Sequence, residues 1–348
     1  MPTQPFGPSP LGDVTAIVLG HAPGPVLELL DLGATVHRLW VTGGDGTRRD
    51  VVLGHPDPAA MLASTSYLGG TIGRYANRVA AGRFELDGRP VEVGTHDRGQ
   101  HLHGGPDGFD RRIWTLVEHD DHHAVLTLTS PDGDQGFPGE VTVSARFDVG
   151  DDEVRLTLEA TTDAPTPVNL TSHVYLNLDG EGSGTIDDQV LEVDAPAYVG
   201  IDATGIPLPG PPTPVDGTPF DLRQPRRLGD VVRLDHPQLR GAGGIDHNYV
   251  LAPGDGTVRP VATLDSPRTR TRLVLSTDQP GLQVYTGNGL DGTEQSSTGG
   301  WHRQGDGLAL EPQLFPDTPN RPDFGDATLR PGQTYRCHVG WRFEALGP

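Results

Sequence analysis

Val154-Arg-Leu-Thr-Leu-Glu-Ala160 decides the fold class. Val154, Leu156, Leu158 and Ala160 are apolar and the residues between them polar. That period of two turns one face of a β-strand to a core and the other to water. Near the C-terminus Tyr335, Cys337, Val339, Trp341 and Phe343 repeat the pattern. Working outward, further strand-like runs cover Val14–Leu19, Val26–Val41, Ala124–Thr129, Val141–Val149, Gln189–Val193, Thr271–Thr277 and Leu282–Tyr285. Turn pairs such as Asp87-Gly88, Asp132-Gly133, Asp179-Gly180 and Asp216-Gly217 bound many of them. Helical spacing is poor; Pro58–Ala63 and Asp230–Leu234 alone suit a short turn of helix. Strand after strand without intervening helices predicts an all-β, large antiparallel sandwich or barrel. The Pro-rich stretch Ile206 to Pro219 reads as a long surface loop, because strand-like sequence continues on both sides of it.

Composition narrows the function. The 348 residues include 48 Gly and 33 Pro, scattered between apolar runs as turn residues rather than bunched as in disorder. A formal charge of −21 repels phosphate backbones and anionic membranes, so neither nucleic acid nor membrane is expected as a partner. All 26 basic residues are arginine. Without lysine there is no Schiff base and no phosphate-cradling Walker lysine. The single Cys337 excludes an intrachain disulfide and a cysteine-rich metal site. Residues 1–12 are rich in Pro and Gly and lack the basic start and apolar stretch of a signal peptide, so we expect a flexible extension on a cytoplasmic protein.

Chemistry concentrates in a few polar segments. These are Gly73-Arg-Tyr-Ala-Asn-Arg78, Gln100-His-Leu-His-Gly-Gly105, Asn169-Leu-Thr-Ser-His-Val-Tyr-Leu-Asn177, Gly244-Ile-Asp-His-Asn248 and Ala309-Leu-Glu-Pro-Gln313. Glu311 lies between Leu310 and Pro312, and a carboxylate among apolar neighbours is costly to bury without a purpose. Strand alternation would put His101 and His103 on one face, at metal-ligand spacing. His119-Asp-Asp-His-His123 reads as a solvated hairpin tip. No G-x-S-x-G elbow is present, which argues against a serine hydrolase.

In this order the segments resemble the aldose 1-epimerase (galactose mutarotase) family. The run Gly73 to Val79 with Leu102-His-Gly-Gly105, then Asn169-Leu-Thr-Ser-His173 with Tyr175, is similar to its N-terminal and central motifs. Ile245-Asp-His-Asn-Tyr249, Val284-Tyr-Thr-Gly-Asn288 and Leu310-Glu311 with Gln313 complete the pattern, which spans roughly residues 15 to 343. The resemblance implies one domain over 1–348, folded as a galactose mutarotase-like β-supersandwich. By motif position it implies Glu311 as general base and His173 as general acid. It also implies Asn77, Arg78, His103, Tyr175, Asp246 and Gln283 as residues that hold the sugar. No metal and no cofactor are implied, and the protein is expected as a monomer or homodimer. Gly289 and Leu176 stand where the family usually has Phe and are expected to alter the cleft wall. The residues leave open a non-catalytic sugar binder, a glycosidase or lyase, and an epimerase acting on a modified or phosphorylated sugar. They also leave open whether His103 shares the acid role with His173.

Overall fold

Glu153–Thr162 forms a central strand of a nine-stranded antiparallel sheet. The computed structural model describes residues 3–347. On one side Glu153–Thr162 pairs with Val141–Val149, and on the other with the last strand, Tyr335–Ala345. Val154, Leu156, Leu158 and Ala160 all face the core, joined by Cys337, Val339 and Trp341 of the last strand. The two runs that carry the period of two in the sequence are therefore neighbours in the sheet. Each fully buried Val or Leu here contributes about 1.5–3 kcal/mol relative to its exposed state.

A six-stranded sheet runs Tyr175–Leu176, Leu308–Gln313, Gly281–Tyr285, Asp246–Val250, Ala197–Tyr198 and Thr213–Pro214. Leu282, Val284, Leu308 and Leu310 bring its inner face into the same apolar cluster as the nine-stranded sheet. The Cys337 thiol lies 3.9 Å from the Pro312 carbonyl, where the two layers touch. A five-stranded sheet of the first fifty residues adds Ile17, Leu19, Leu27 and Leu29 to that cluster. The sandwich expected from the alternation is the architecture observed.

Several local expectations differ from the structure. The extension over 1–12 was expected to be flexible, yet Gln4–Ser9 pairs with Gly12–Leu19 as the edge of the five-stranded sheet. Phe6 gives it an anchor against Val14, Ala16, Leu30 and Leu32, and an edge strand tolerates its prolines. Met1 and Pro2 lie outside the described residues. The run Val26–Val41 is two strands, Val26–Leu30 and Thr35–Thr42, joined through a turn where Gly33 and Ala34 adopt positive φ. Pro58–Ala63 is helical as expected, capped by Asp57 on the Ala60 amide. The second helix spans Leu228–Val232, two residues earlier than expected, because Leu228 and Val231 must both reach the core. Pro237–Ala242 is a further helix, with Pro at its start and Gly243 at φ +74 closing it. Among the described residues no helix is long and apolar enough to cross a membrane.

Candidate active site

Strand alternation builds the floor of the site. Leu308 and Leu310 turn into the core, so Glu311 faces the opposite side of the six-stranded sheet. Leu282 and Val284 likewise leave Gln283 and Tyr285 on that side, and Tyr249 leaves Asp246 there. Register then sets the neighbours. Gln283 pairs with Glu311, and Asp246 with Tyr285, which in turn pairs with Ala309 beside Tyr175. Gln283 donates to Asp246 at 2.7 Å, which orients the carboxylate.

The opposite wall comes from loops drawn close by glycines. A Cβ on Gly104, at φ +83, would lie 1.9 Å from the Gly73 carbonyl oxygen, so the two loops can meet only if residue 104 has no side chain. Asn77 and His103 both hold left-handed backbone, at φ +67 and +51. The Asn77 amide donates to His103 Nδ1 at 3.1 Å, and the Asn77 side chain donates to Gln283 at 3.1 Å. Because Nδ1 accepts, the His103 proton resides on Nε2. One hydrogen-bonded chain therefore runs His103, Asn77, Gln283, Asp246 across both walls. The Arg78 guanidinium is held by Asp97 at 2.8 Å.

At the centre His173 Nε2 lies 3.6 Å from Glu311 Oε1. The two are only 4% and 1% exposed. Burial pushes the Glu311 carboxyl well above its usual range, and the nearby Asp246 charge adds to the rise. Burial also lowers His173 to about 4 and His103 well below an ordinary histidine. The separation is that of an ion pair, but desolvation drives both partners toward their neutral forms. Both shifts favour the neutral carboxylic acid and the neutral imidazole over the charged pair. Moving that one proton from Glu311 to His173 yields a carboxylate and an imidazolium without any exchange with solvent. Among the described residues Glu311 Oε2 and His173 Nδ1 find no hydrogen-bond partner.

All eight residues expected at the site line one cleft of about 320 Å³: Asn77, Arg78, His103, His173, Tyr175, Asp246, Gln283 and Glu311. The cleft also takes Tyr67, Tyr285, Arg98 and Asn288, which the sequence reading gave no role. Tyr67 follows a polar Ser-Thr-Ser run and reaches the cleft through a left-handed turn, which no periodicity marks. Tyr285 carried a signal, since it alternates with Val284 exactly as Gln283 does in reverse; its ring stands 5.9 Å from Tyr175.

Other polar residues of the motifs are structural. Arg74 is buried and donates to the carbonyls of Ser130, Pro131, Pro138 and Gly139, binding one turn together. Asn169 donates to Ala76 and accepts from Leu314, and Asn177 donates to Gly184 and Asp306. His101 does not pair with His103. The strand stops at Leu102, His103 turns left-handed, and His101 instead binds the Gly94 carbonyl at 2.7 Å. The segment 119–123 is the hairpin tip expected, with Asp120 bonded to the His122 and His123 amides. His103, His173 and Glu311 are the one His/Cys/Asp/Glu group among the described residues whose ligand atoms converge, within 4.8 Å of one another.

Fold and site define a β-sandwich protein whose open polar cleft holds a buried acid–base pair. A family model described as aldose 1-epimerase matches residues 15–341. The chain is 38% identical over 336 residues to aldose 1-epimerase of Escherichia coli K12, covering 94% of this chain and 95% of that one. It is 37% identical to the galactose mutarotase of Homo sapiens, covering 90% of each. The crystal structure of galactose 1-epimerase from Lactobacillus acidophilus superposes with a TM-score of 0.87 at 30% identity, covering 99% of both chains. The chain belongs to the aldose 1-epimerase family.

Proposed function

We propose that the protein interconverts the α and β anomers of an aldohexose such as glucose or galactose, by acid–base opening and closing of the ring. The observation that carries this reading is the Glu311–His173 pair, 3.6 Å apart at the floor of a cleft sized for one small ligand. Glu311 as carboxylate takes the proton of the C1 hydroxyl while His173 as imidazolium protonates the ring oxygen. The C1–O5 bond breaks and leaves an open-chain aldehyde. Rotation about C1–C2 turns the other carbonyl face to the C5 hydroxyl. On closure His173 takes the C5 hydroxyl proton and Glu311 returns a proton to the carbonyl oxygen. The swap restores both groups, so no cofactor is consumed. Each proton transfer of this kind supplies about 10²–10⁴-fold.

Asp246, Gln283, Asn77 and His103 form a pre-set row of donors and acceptors for sugar hydroxyls, which fixes the ring against the pair. Arg78, already held by Asp97, presents its remaining guanidinium edge to the cleft. The same reading takes the protein as a cytoplasmic enzyme, monomeric or homodimeric. The test is the optical rotation of freshly dissolved α-D-glucose and α-D-galactose with the protein and a chelator present. Faster relaxation to the unchanged end point is expected. No acceleration with either sugar would sink the proposal for these substrates.

A further inference from the structure

Residues 64–67 run along the cleft, where Thr65, Ser66 and Tyr67 line it. Tyr67 stands edge-on to His103, ring centroids 4.7 Å apart, and lies 5.7 Å from the His173 ring. It holds φ +58, a backbone state that a bulky residue keeps only when its surroundings impose it. Next to Tyr67 lies a small cavity of about 20 Å³, walled in part by His55, Ser64 and Asp110.

A carboxylate far along the chain supplies the hold. Glu294, on the hairpin strand Asp291–Gln295, accepts from the Ser64 hydroxyl at 2.9 Å and from the Ser66 hydroxyl at 2.9 Å, one on each oxygen. The Thr65 amide reaches the same group at 3.4 Å. Just beyond the loop, Gly69 donates to the His173 carbonyl at 2.9 Å and His173 donates to Gly70 at 2.9 Å. The loop is thus joined to His173 through the backbone of Gly69 and Gly70. Glu294 itself is not part of the cleft wall. Its hairpin is anchored separately by Glu181, which accepts from Ser296, Ser297 and the Gly54 amide.

We propose that Glu294 is a positioning residue: by clamping Ser64 and Ser66 it holds Tyr67 against His103 and His173 and keeps the acid aligned with Glu311. It acts through the loop and never on the sugar. The inference rests on the roles proposed above for His173 and Glu311.

The test compares Glu294→Ala with Glu294→Gln by kcat, KM and thermal unfolding. The amide still accepts from one serine and donates to the other hydroxyl. Glu294→Ala is expected to lower kcat about tenfold, less than the roughly 100-fold that a 1 Å misplacement costs. KM is expected to stay nearly unchanged, the unfolding midpoint to drop because buried Ser64, and His55 at 3.7 Å, lose the carboxylate, and Glu294→Gln to recover most of the rate per folded protein. The double variant Ser64→Ala/Ser66→Ala is expected to lose the same factor, with no further loss when Glu294→Ala is added. Wild-type kcat in Glu294→Ala overturns the proposal, and so does a loss that tracks lost folded protein and is not recovered by glutamine. His173→Asn, measured alongside, separates two failures. Activity retained there removes the role of His173; activity lost there but unchanged in Glu294→Ala removes the clamp alone.

Discussion

Glu311 and Arg74 are both charged residue types buried in a protein of −21 formal charge, and they are there for different reasons. Every hydrogen bond of the Arg74 guanidinium goes to the Ser130–Gly139 turn or to Thr166. Arg74→Met is expected to cost at least about 3 kcal/mol, since each hydrogen bond to a charged group is worth about 1.5–3 kcal/mol, while leaving kcat of the folded protein intact; chemical denaturation measures it. Glu311 has one oxygen that finds no hydrogen-bond partner among the described residues. Glu311→Gln is expected to abolish turnover with sugar affinity nearly unchanged, read by polarimetry and calorimetry on the same sample. A variant that keeps most of its rate would take Glu311 out of the mechanism. The pair also sets a pH profile. Its acid limb belongs to His173, which burial lowers to about 4 from the ordinary 6.5. kcat/KM should therefore stay level through pH 6.5 and fall toward pH 4. A mid-point near 6.5 would mean that water reaches the imidazole. The sequence marked Glu311 because its neighbours are apolar. It could not mark Tyr67, which reaches the cleft through a turn whose serines bond to a carboxylate 228 and 230 residues further along the chain.

At the scale of elements, alternation carried most of the information. The period of two in Glu153–Thr162 and Tyr335–Ala345 identified the sheet, because one face of each had to be buried. Leu156→Ala is expected to cost about 2–5 kcal/mol, the range for emptying a well-packed leucine site. Polarimetry on the folded fraction should find its rate unimpaired, since Leu156 lies in the nine-stranded sheet and the acid–base pair does not. Register was not legible. That Gln283 stands opposite Glu311 follows from how two strands separated by residues 286–307 slide against each other, and nothing in either strand alone states it. The same holds for the edge strand Gln4–Ser9: Pro and Gly suggested flexibility, whereas one phenylalanine and an open sheet edge decided otherwise. The short helix Pro237–Ala242 was legible in principle, from His-Pro at its start and Gly243 at its end, but six residues are too few to show a helical period.

For the molecule as a whole, buried titratable groups make stability depend on pH in two opposed directions. His247 is buried against Phe220 and bonded to Gln238, and burial lowers it to about 3. The folded state then binds fewer protons than the unfolded one between the ordinary 6.5 and 3, so this contribution is present above that window and is lost as pH falls through it. Asp110 is the opposite case. Burial raises it to about 7, so its contribution is present at low pH and is lost as pH rises from 3.8 toward 7. His247→Gln should therefore gain on the wild type as pH falls from 6.5, and Asp110→Asn should gain on it as pH rises from 3.8. Denaturant midpoints across pH 3–8 test both signs, and parallel curves for variant and wild type would contradict the assignment.

Cys337, where the two layers of the sandwich touch, has a further use. Its sulfur is fully buried, and burial pushes the thiol well above its usual range, so a maleimide should not find it in the folded protein. A cysteine placed on the exposed tip of the Asp291–Arg303 hairpin, for instance at Gly300, where a Cβ meets nothing within 4 Å, would then be the one reactive thiol. A fluorophore attached there could report whether the hairpin moves when sugar enters, without removing any native residue from the core.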